Sequence, residues 1–156
     1  MKTVIVAPHP DDEIIGCYET LIKSKPIIIY DGDTPQDRRE EAQKLREHVD
    51  ITVQLYQKSI PPNFIEKDTM LYFPDPVYER HPLHRSWGAI GEQIARQGFN
   101  VIFYSTNMNA PYIREVDNAP AKEALLNTVY EQQRDLWRYE KKYILFEGSC
   151  QWHFLV

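Results

Sequence analysis

The chain has 156 residues, 42% hydrophobic and 26% charged, with 23 acidic against 18 basic side chains for a net charge of −5. A chain of about 150 residues buries roughly 68–70% of its unfolded surface around one core, so a single domain over residues 1–156 is expected. The acidic balance argues against general nucleic-acid binding, and no apolar stretch approaches the roughly 20 residues of a membrane span.

The start, Met1-Lys2-Thr3-Val4, runs straight into an apolar segment with no room for a signal peptide, so a cytoplasmic protein is expected. Cys17 and Cys150 are too few for a disulfide framework and read as small buried hydrophobes in a reducing compartment. The spacing predicts a strand over Thr3–Ala7, a helix over Asp12–Lys23 carrying Ile14, Ile15, Tyr18, Leu21 and Ile22 at helical intervals, and a strand over Pro26–Tyr30. Asp31-Gly32-Asp33-Thr34-Pro35 is turn chemistry that opens a second helix, Gln36–Val49. Ile51–Leu55 reads as strand, Gln57–Asp68 with Pro61-Pro62 as an irregular connection, and Thr69–Phe73 as strand. A helix over Pro82–Gln97 ends at Gly98-Phe99-Asn100, and Val101–Tyr104 is the next buried strand. Asn107–Asn118 reads as a polar loop with a short strand at Tyr112–Val116. Ala121–Tyr139 reads as helix and Tyr143–Glu147 as an edge strand or tail. Strands alternating with helices imply an α/β domain whose mostly parallel sheet is covered on both faces.

Ala7-Pro8-His9-Pro10-Asp11-Asp12-Glu13 places one imidazole and three carboxylates directly after the first strand, at the sheet edge where α/β proteins present ligands. Four ionisable groups there call for neutralisation, and a divalent metal supplies it. His9 and Asp12 can turn to one ion across a tight turn, which leaves Asp11 free as a base towards water polarised by that ion. The bland alternative is a carboxylate cap on the following helix. His81 and His84, three apart around Pro82, follow another strand, and His84 can complete a three-ligand set with His9 and Asp12. The alternative there is a polar exposed loop. A His2Asp set suits catalytic zinc but also accepts iron and other divalent metals, Fe2+ among them.

Ala7-Pro8-His9-Pro10-Asp11-Asp12-Glu13 followed by Gly16-Cys17 resembles the opening signature of the PIG-L/LmbE-like zinc deacetylases, and His81-Pro82-Leu83-His84 is similar to their later His-Pro-Asp-His motif. Arg38 with Glu41, and Lys122, Ala124, Leu125, Tyr130 and Gln132, echo two further helix patterns of that family, so the resemblance runs from about residue 3 to about residue 135. It implies a Rossmann-like three-layer sandwich and a zinc-dependent hydrolase that removes an N-acetyl group from an amino sugar or sugar conjugate. It implies zinc on His9, Asp12 and His84, Asp11 as general base, His81 as the group that steadies or protonates the tetrahedral intermediate, and Arg38 as a holder of the sugar. Three features depart from the pattern. Leu83 replaces the Asp beside the first motif histidine, so His81 either takes Glu79 or Asp75 as a substitute carboxylate partner or lacks one, with a weaker acid step. Tyr18-Glu19 stands where glycines are usual, and the chain is short for the family.

Two other readings stay open: a catalytically weakened sugar-binding or interaction protein of the same fold, and a hydrolase of a non-sugar amide or ester. Should Asp11 not be the base, Glu13 is the next candidate. Trp87, Ile90 and Ile94, and later Leu125, Leu126, Val129 and Leu136, have core spacing. His48 and His153 stand apart from both clusters. Asn107, Asn109 and Tyr112 either contact a sugar or are simply loop polarity. The tail Gln151–Val156 is expected to dock on the domain or on a second subunit, which would make a homo-oligomer.

Overall fold

The structure, a computed structural model, describes residues 1–107, 110–138 and 140–150, without the side chains of 149 and 150. Seven strands form one sheet: β1 (Lys2–Val6), β2 (Ile27–Asp31), β3 (Val53–Gln57), β4 (Thr69–Pro74), β5 (Asn100–Ser105), β6 (Tyr112–Glu115) and β7 (Phe146–Cys150), in the order β3-β2-β1-β4-β5-β7-β6. The first five run parallel, and β7 is antiparallel to both its neighbours. The fold is thus α/β with a mostly parallel sheet. Alternate residues of the central strands feed two apolar clusters: Ile5, Ile28, Tyr30 and Tyr104 one, Val4, Val6, Ile29, Leu71, Phe73 and Phe103 the other. Burial on both faces is why these strands read as continuous apolar runs rather than as alternating patterns.

The first cluster is covered by α1 (Asp12–Ile15), α2 (Tyr18–Ser24), α3 (Gln36–Gln43), α5 (Ala119–Val129), α6 (Asp135–Arg138) and α7 (Lys142–Leu145), the second chiefly by α4 (Pro82–Arg96) through Trp87 and Ile94. Among the described residues no helix is long and apolar enough to cross a membrane. The chain leaves β1 towards β2 on one side, while β4 joins it on the other, so the carboxyl ends of β1 and β4 flank the crevice where such sheets bind ligands.

The helix expected over Gln36–Val49 is α-helical over Gln36–Gln43 and ends as a 3-10 turn over Lys44–Glu47, and three further predicted elements differ from the structure. The helix expected over Asp12–Lys23 is two pieces, interrupted at Gly16 and Cys17, where the Tyr104 ring packs so closely that a Cβ on Gly16 would lie 2.4 Å from it. That ring is anchored by its hydroxyl, which donates to the Val6 carbonyl. The helix expected over Ala121–Tyr139 breaks at Tyr130, whose hydroxyl donates to the buried Glu13 carboxylate; a 3-10 turn and α6 follow, and Tyr139 lies outside the described residues. Each break resets the helical phase, so Ile22 and Leu136, assigned to the core by spacing, are 46% and 44% exposed. The segment read as an edge strand or tail forms α7 and then β7, which is inserted between β5 and β6; the edge strand at this end of the sheet is β6. Of the remaining expectations, His153 and the tail 151–156 lie outside the described residues, as do Asn109 and the Cys150 side chain.

Lys122 ties these pieces together. Its fully buried Nζ donates to the carbonyls of Ile15 (2.8 Å) and Phe146 (3.3 Å), at the carboxyl ends of α1 and α7, where a cation complements the helix dipole. Burial, opposed by Glu147, lowers its pKa to about 8. A lysine whose folded pKa lies below the unfolded value of roughly 10.4 binds fewer protons when folded, so its contribution to stability rises with pH between the two. Urea unfolding of Lys122→Met and wild type is expected to show the difference shifting in favour of wild type from about pH 8 to about pH 10. A pH-independent difference would mean that the ammonium is not desolvated in the fold.

Candidate metal centre

The turn after β1 is built by its own polar groups. Asp12 N–H donates to His9 O at 3.1 Å, and Asp12 Oδ2 accepts from His9 N–H at 2.8 Å, so side chain and backbone lock the His9–Asp12 turn reciprocally. Asp11 sits at φ 117°, ψ −27°, a conformation that non-glycine residues seldom adopt. It is held there by its N–H, which donates to Glu13 Oε2 at 3.0 Å, and by its carbonyl, which accepts from Ile14 and Ile15. Glu13 itself is fully buried and accepts from the hydroxyls of Tyr30 and Tyr130. Burial, opposed by these hydrogen bonds, pushes its pKa up to about 7. The Glu13 carboxylate is occupied as the pin of the turn rather than facing the cavity described below.

The second half of the site comes from the start of α4. Pro82 occupies its first turn, and His81 is the N-cap, its Nδ1 accepting from Leu83 N–H at 3.1 Å. A Cβ on Gly88 would lie 2.5 Å from Pro74 O, so this glycine allows α4 to lie close against the end of β4. That approach brings His84 under the β1 turn. His84 Nε2 lies 3.0 Å from Asp12 Oδ2 and 3.0 Å from His9 Nδ1, and His9 Nδ1 lies 3.5 Å from Asp12 Oδ2. Tetrahedral zinc bonds of about 2.0–2.1 Å place any two ligand atoms roughly 3.3 Å apart, a value that lies between the shortest and longest of these separations. His9, Asp12 and His84 can therefore hold a metal ion.

The electrostatics agree. Burial works to raise Asp12, but the charges and hydrogen bonds of His84 and His9 hold its carboxyl well below the usual carboxylate range. Burial works to lower His84, yet Asp12 and Glu79 push it up to about 10. The protonated imidazole thus fills the position of a cation beside Asp12, and a metal ion taking that place must displace a proton.

A cavity of about 360 Å³ opens over the cluster, lined by His9, Asp11, Asp12, Arg38, His81, His84, Thr106 and Asn107, with Ile15, Leu136 and Tyr143 as its apolar wall. Asp11 is only 6% exposed; burial, then the neighbouring Asp12, raise its pKa well above the usual carboxylate range, while Arg38 opposes them. Arg38 Nη2 lies 3.7 Å from Asp11 Oδ2 and donates to Pro10 O, and its Nε is 3.3 Å from Glu41 Oε1. The arginine singled out for substrate thus also braces the turn that carries Asp11. His81 is exposed, with its ring centroid 4.6 Å from that of His9; burial and the neighbouring His9 and His84 lower its pKa.

The structure brings together all six residues the sequence singled out: His9, Asp11, Asp12, Arg38, His81 and His84. The carboxylate that His81 loses with Leu83 is not replaced by either candidate. Glu79 Oε1 sits on His84 Nδ1 at 3.1 Å, and Asp75 Oδ1 accepts from Val77 and Tyr78 N–H, so among the described residues no hydrogen bond or ion pair joins His81 to a carboxylate. Asn107 lines the cavity, whereas Tyr112 and His48 are exposed outside its lining. Sequence reasoning missed Thr106, whose N–H and hydroxyl both bond Glu79; its only signal is its position just past a buried strand. Comparison of the chain with known protein families, with curated proteins and with solved structures finds no match.

Proposed function

We propose that the protein is a metal-dependent hydrolase, with zinc as the metal, that removes the acetyl group from an N-acetylated amino sugar or sugar conjugate, as its resemblance to the PIG-L/LmbE-like deacetylases implies. The observation that carries this reading is the convergence of the His9, Asp12 and His84 donor atoms beneath a cavity that also holds the buried carboxyl of Asp11. Zinc in such a donor set polarises a carbonyl and makes water more acidic. Asp11 takes a proton from the water that attacks the acetamido carbon. The acyl C–N bond breaks, and a proton passes to the nitrogen, releasing acetate and a free amine. In its protonated form, which forgoes the bond that its Nδ1 accepts from Leu83 N–H, His81 can steady the developing oxyanion and supply the proton to the nitrogen. Arg38 at the cavity edge holds the sugar, and Tyr143 offers it an apolar face. The strand order about β1 and the two apolar clusters support a Rossmann-like three-layer sandwich as the finer description of the fold. The reading places the enzyme in the cytoplasm, where Cys17 stays reduced.

Acetate release by zinc-loaded protein from a panel of N-acetylated sugars and conjugates tests the reading; folded, loaded protein that releases none from any of them sinks it. His81, without a carboxylate partner, favours one alternative, a weakened sugar-binding protein of the same fold, for which the same panel gives binding without turnover. His81→Ala is expected to slow the reaction and to remove the alkaline limb of the pH–rate profile, while Leu83→Asp moves that limb upward by favouring the imidazolium. A profile unchanged by His81→Ala assigns the acid elsewhere.

A further inference from the structure

The geometry points to Glu79 as the positioning residue that fixes the tautomer and the aim of His84, with Thr106 and Asn107 as the clamp that holds Glu79 in place. The inference rests on reading His9, Asp12 and His84 as a metal site.

Glu79 lies in the connection between β4 and α4 and is 3% exposed. Its Oε1 accepts from Thr106 N–H at 2.9 Å and from the Thr106 hydroxyl at 2.9 Å, while its Oε2 accepts from Asn107 Nδ2 at 2.8 Å. An oxygen that accepts from a backbone N–H presents lone pairs, so the ring nitrogen 3.1 Å away, His84 Nδ1, is a donor to it. A neutral His84 then carries its proton on Nδ1, and its Nε2 lone pair is left to face Asp12 and His9. That is the tautomer a metal on this side of the ring requires.

The clamp also fixes direction. Asn107 Nδ2 donates to Tyr78 O at 2.9 Å, so the residue before Glu79 is tied to the same loop after β5. The ends of three strands are thereby linked in one chain of contacts: Asp12 after β1, His84 and Glu79 after β4, and Thr106 and Asn107 after β5. His81, the ring nearer the motif's missing carboxylate, receives none of this support.

Glu79→Gln keeps the side chain's shape but turns an NH2 towards a set of donors. Its zinc affinity, measured against a competing chelator, is expected to fall about 10–100-fold, the range for outer-shell partners of metal ligands. Thermal unfolding and the affinity of Glu19→Gln, a change at a buried carboxylate bonded to Asp117 N–H and Arg114 rather than to the cluster, serve as controls expected to leave zinc binding intact. Long-range proton–nitrogen spectra of wild-type zinc-loaded protein are expected to show His84 protonated at Nδ1 and coordinating through Nε2, a signature that a purely structural Glu79 would not set. Should Glu79→Gln fail to fold, that spectrum decides. Undiminished zinc affinity in folded Glu79→Gln, or a His84 protonated at Nε2 in the loaded protein, overturns the role of Glu79 alone. Wild-type protein that takes up no zinc overturns the metal site and this inference together.

Discussion

Alanine in place of His84 is expected to strip the protein of bound metal. Its Nε2 is 3.0 Å from both other donor atoms, so its removal leaves a two-ligand site, and the same holds for His9→Ala and Asp12→Ala. His84→Ala also leaves Asp12 and Glu79 buried without their counter-ion, and breaking a buried ion pair from one side costs about 3–5 kcal/mol. Metal content must therefore be expressed per folded molecule, by elemental analysis after dialysis against trace zinc. Uptake should also depend on pH with a defined sign. Because His84 stands near pKa 10 before metal enters, each ion bound below that pH displaces a proton, and apparent affinity rises with pH by up to about tenfold per unit. Normal metal content in all three variants would remove the centre from the account, whereas pH-independent uptake would mean that His84 is neutral before metal enters.

Asp11→Asn is expected to do the opposite: keep the metal and the fold yet lose about 10²–10⁴-fold in turnover, the usual contribution of a general base. Asparagine keeps the shape of the side chain and tolerates a positive φ better than most residues, so the turn that presents His9 and Asp12 survives the change. Its amide cannot take a proton from water. Glu13 cannot stand in, because its carboxylate is engaged by two tyrosine hydroxyls and by Asp11 N–H. Metal analysis beside single-turnover kinetics separates the two properties; unchanged turnover would move the base to another group.

The parallel core and the His9–Asp12–His84 cluster were legible because the pieces of each are local in sequence. His9 and Asp12 are three apart across one turn, His84 follows a helix-starting proline, and topology places the ends of β1 and β4 side by side. What stayed hidden depends on contacts between distant segments. Nothing near Gly16 announces the Tyr104 ring packed against it at the helix break, and nothing near Glu13 announces that Tyr30 and Tyr130 converge on it. Glu79 was visible as a carboxylate close to two histidines, but sequence alone cannot say which ring it meets. The hand of α4 decides that: its first turn carries His84 inward to 4% exposure and leaves His81 as the exposed cap. The insertion of β7 between β5 and β6 has no local signal either, since strand order is set by where α5 to α7 dock.

The backbone of Asp11 carries a further consequence. Its positive φ is expected to strain the fold by about 1–3 kcal/mol, which glycine at that position would largely relieve. Asp11→Gly should then melt no lower than the native protein, and in a library sorted for heat tolerance alone glycine should accumulate at this position. In one sorted for turnover it should vanish. Under the proposed mechanism, folding and chemistry make opposite demands on this residue, and a divergent relative with glycine there would have exchanged that reaction for durability.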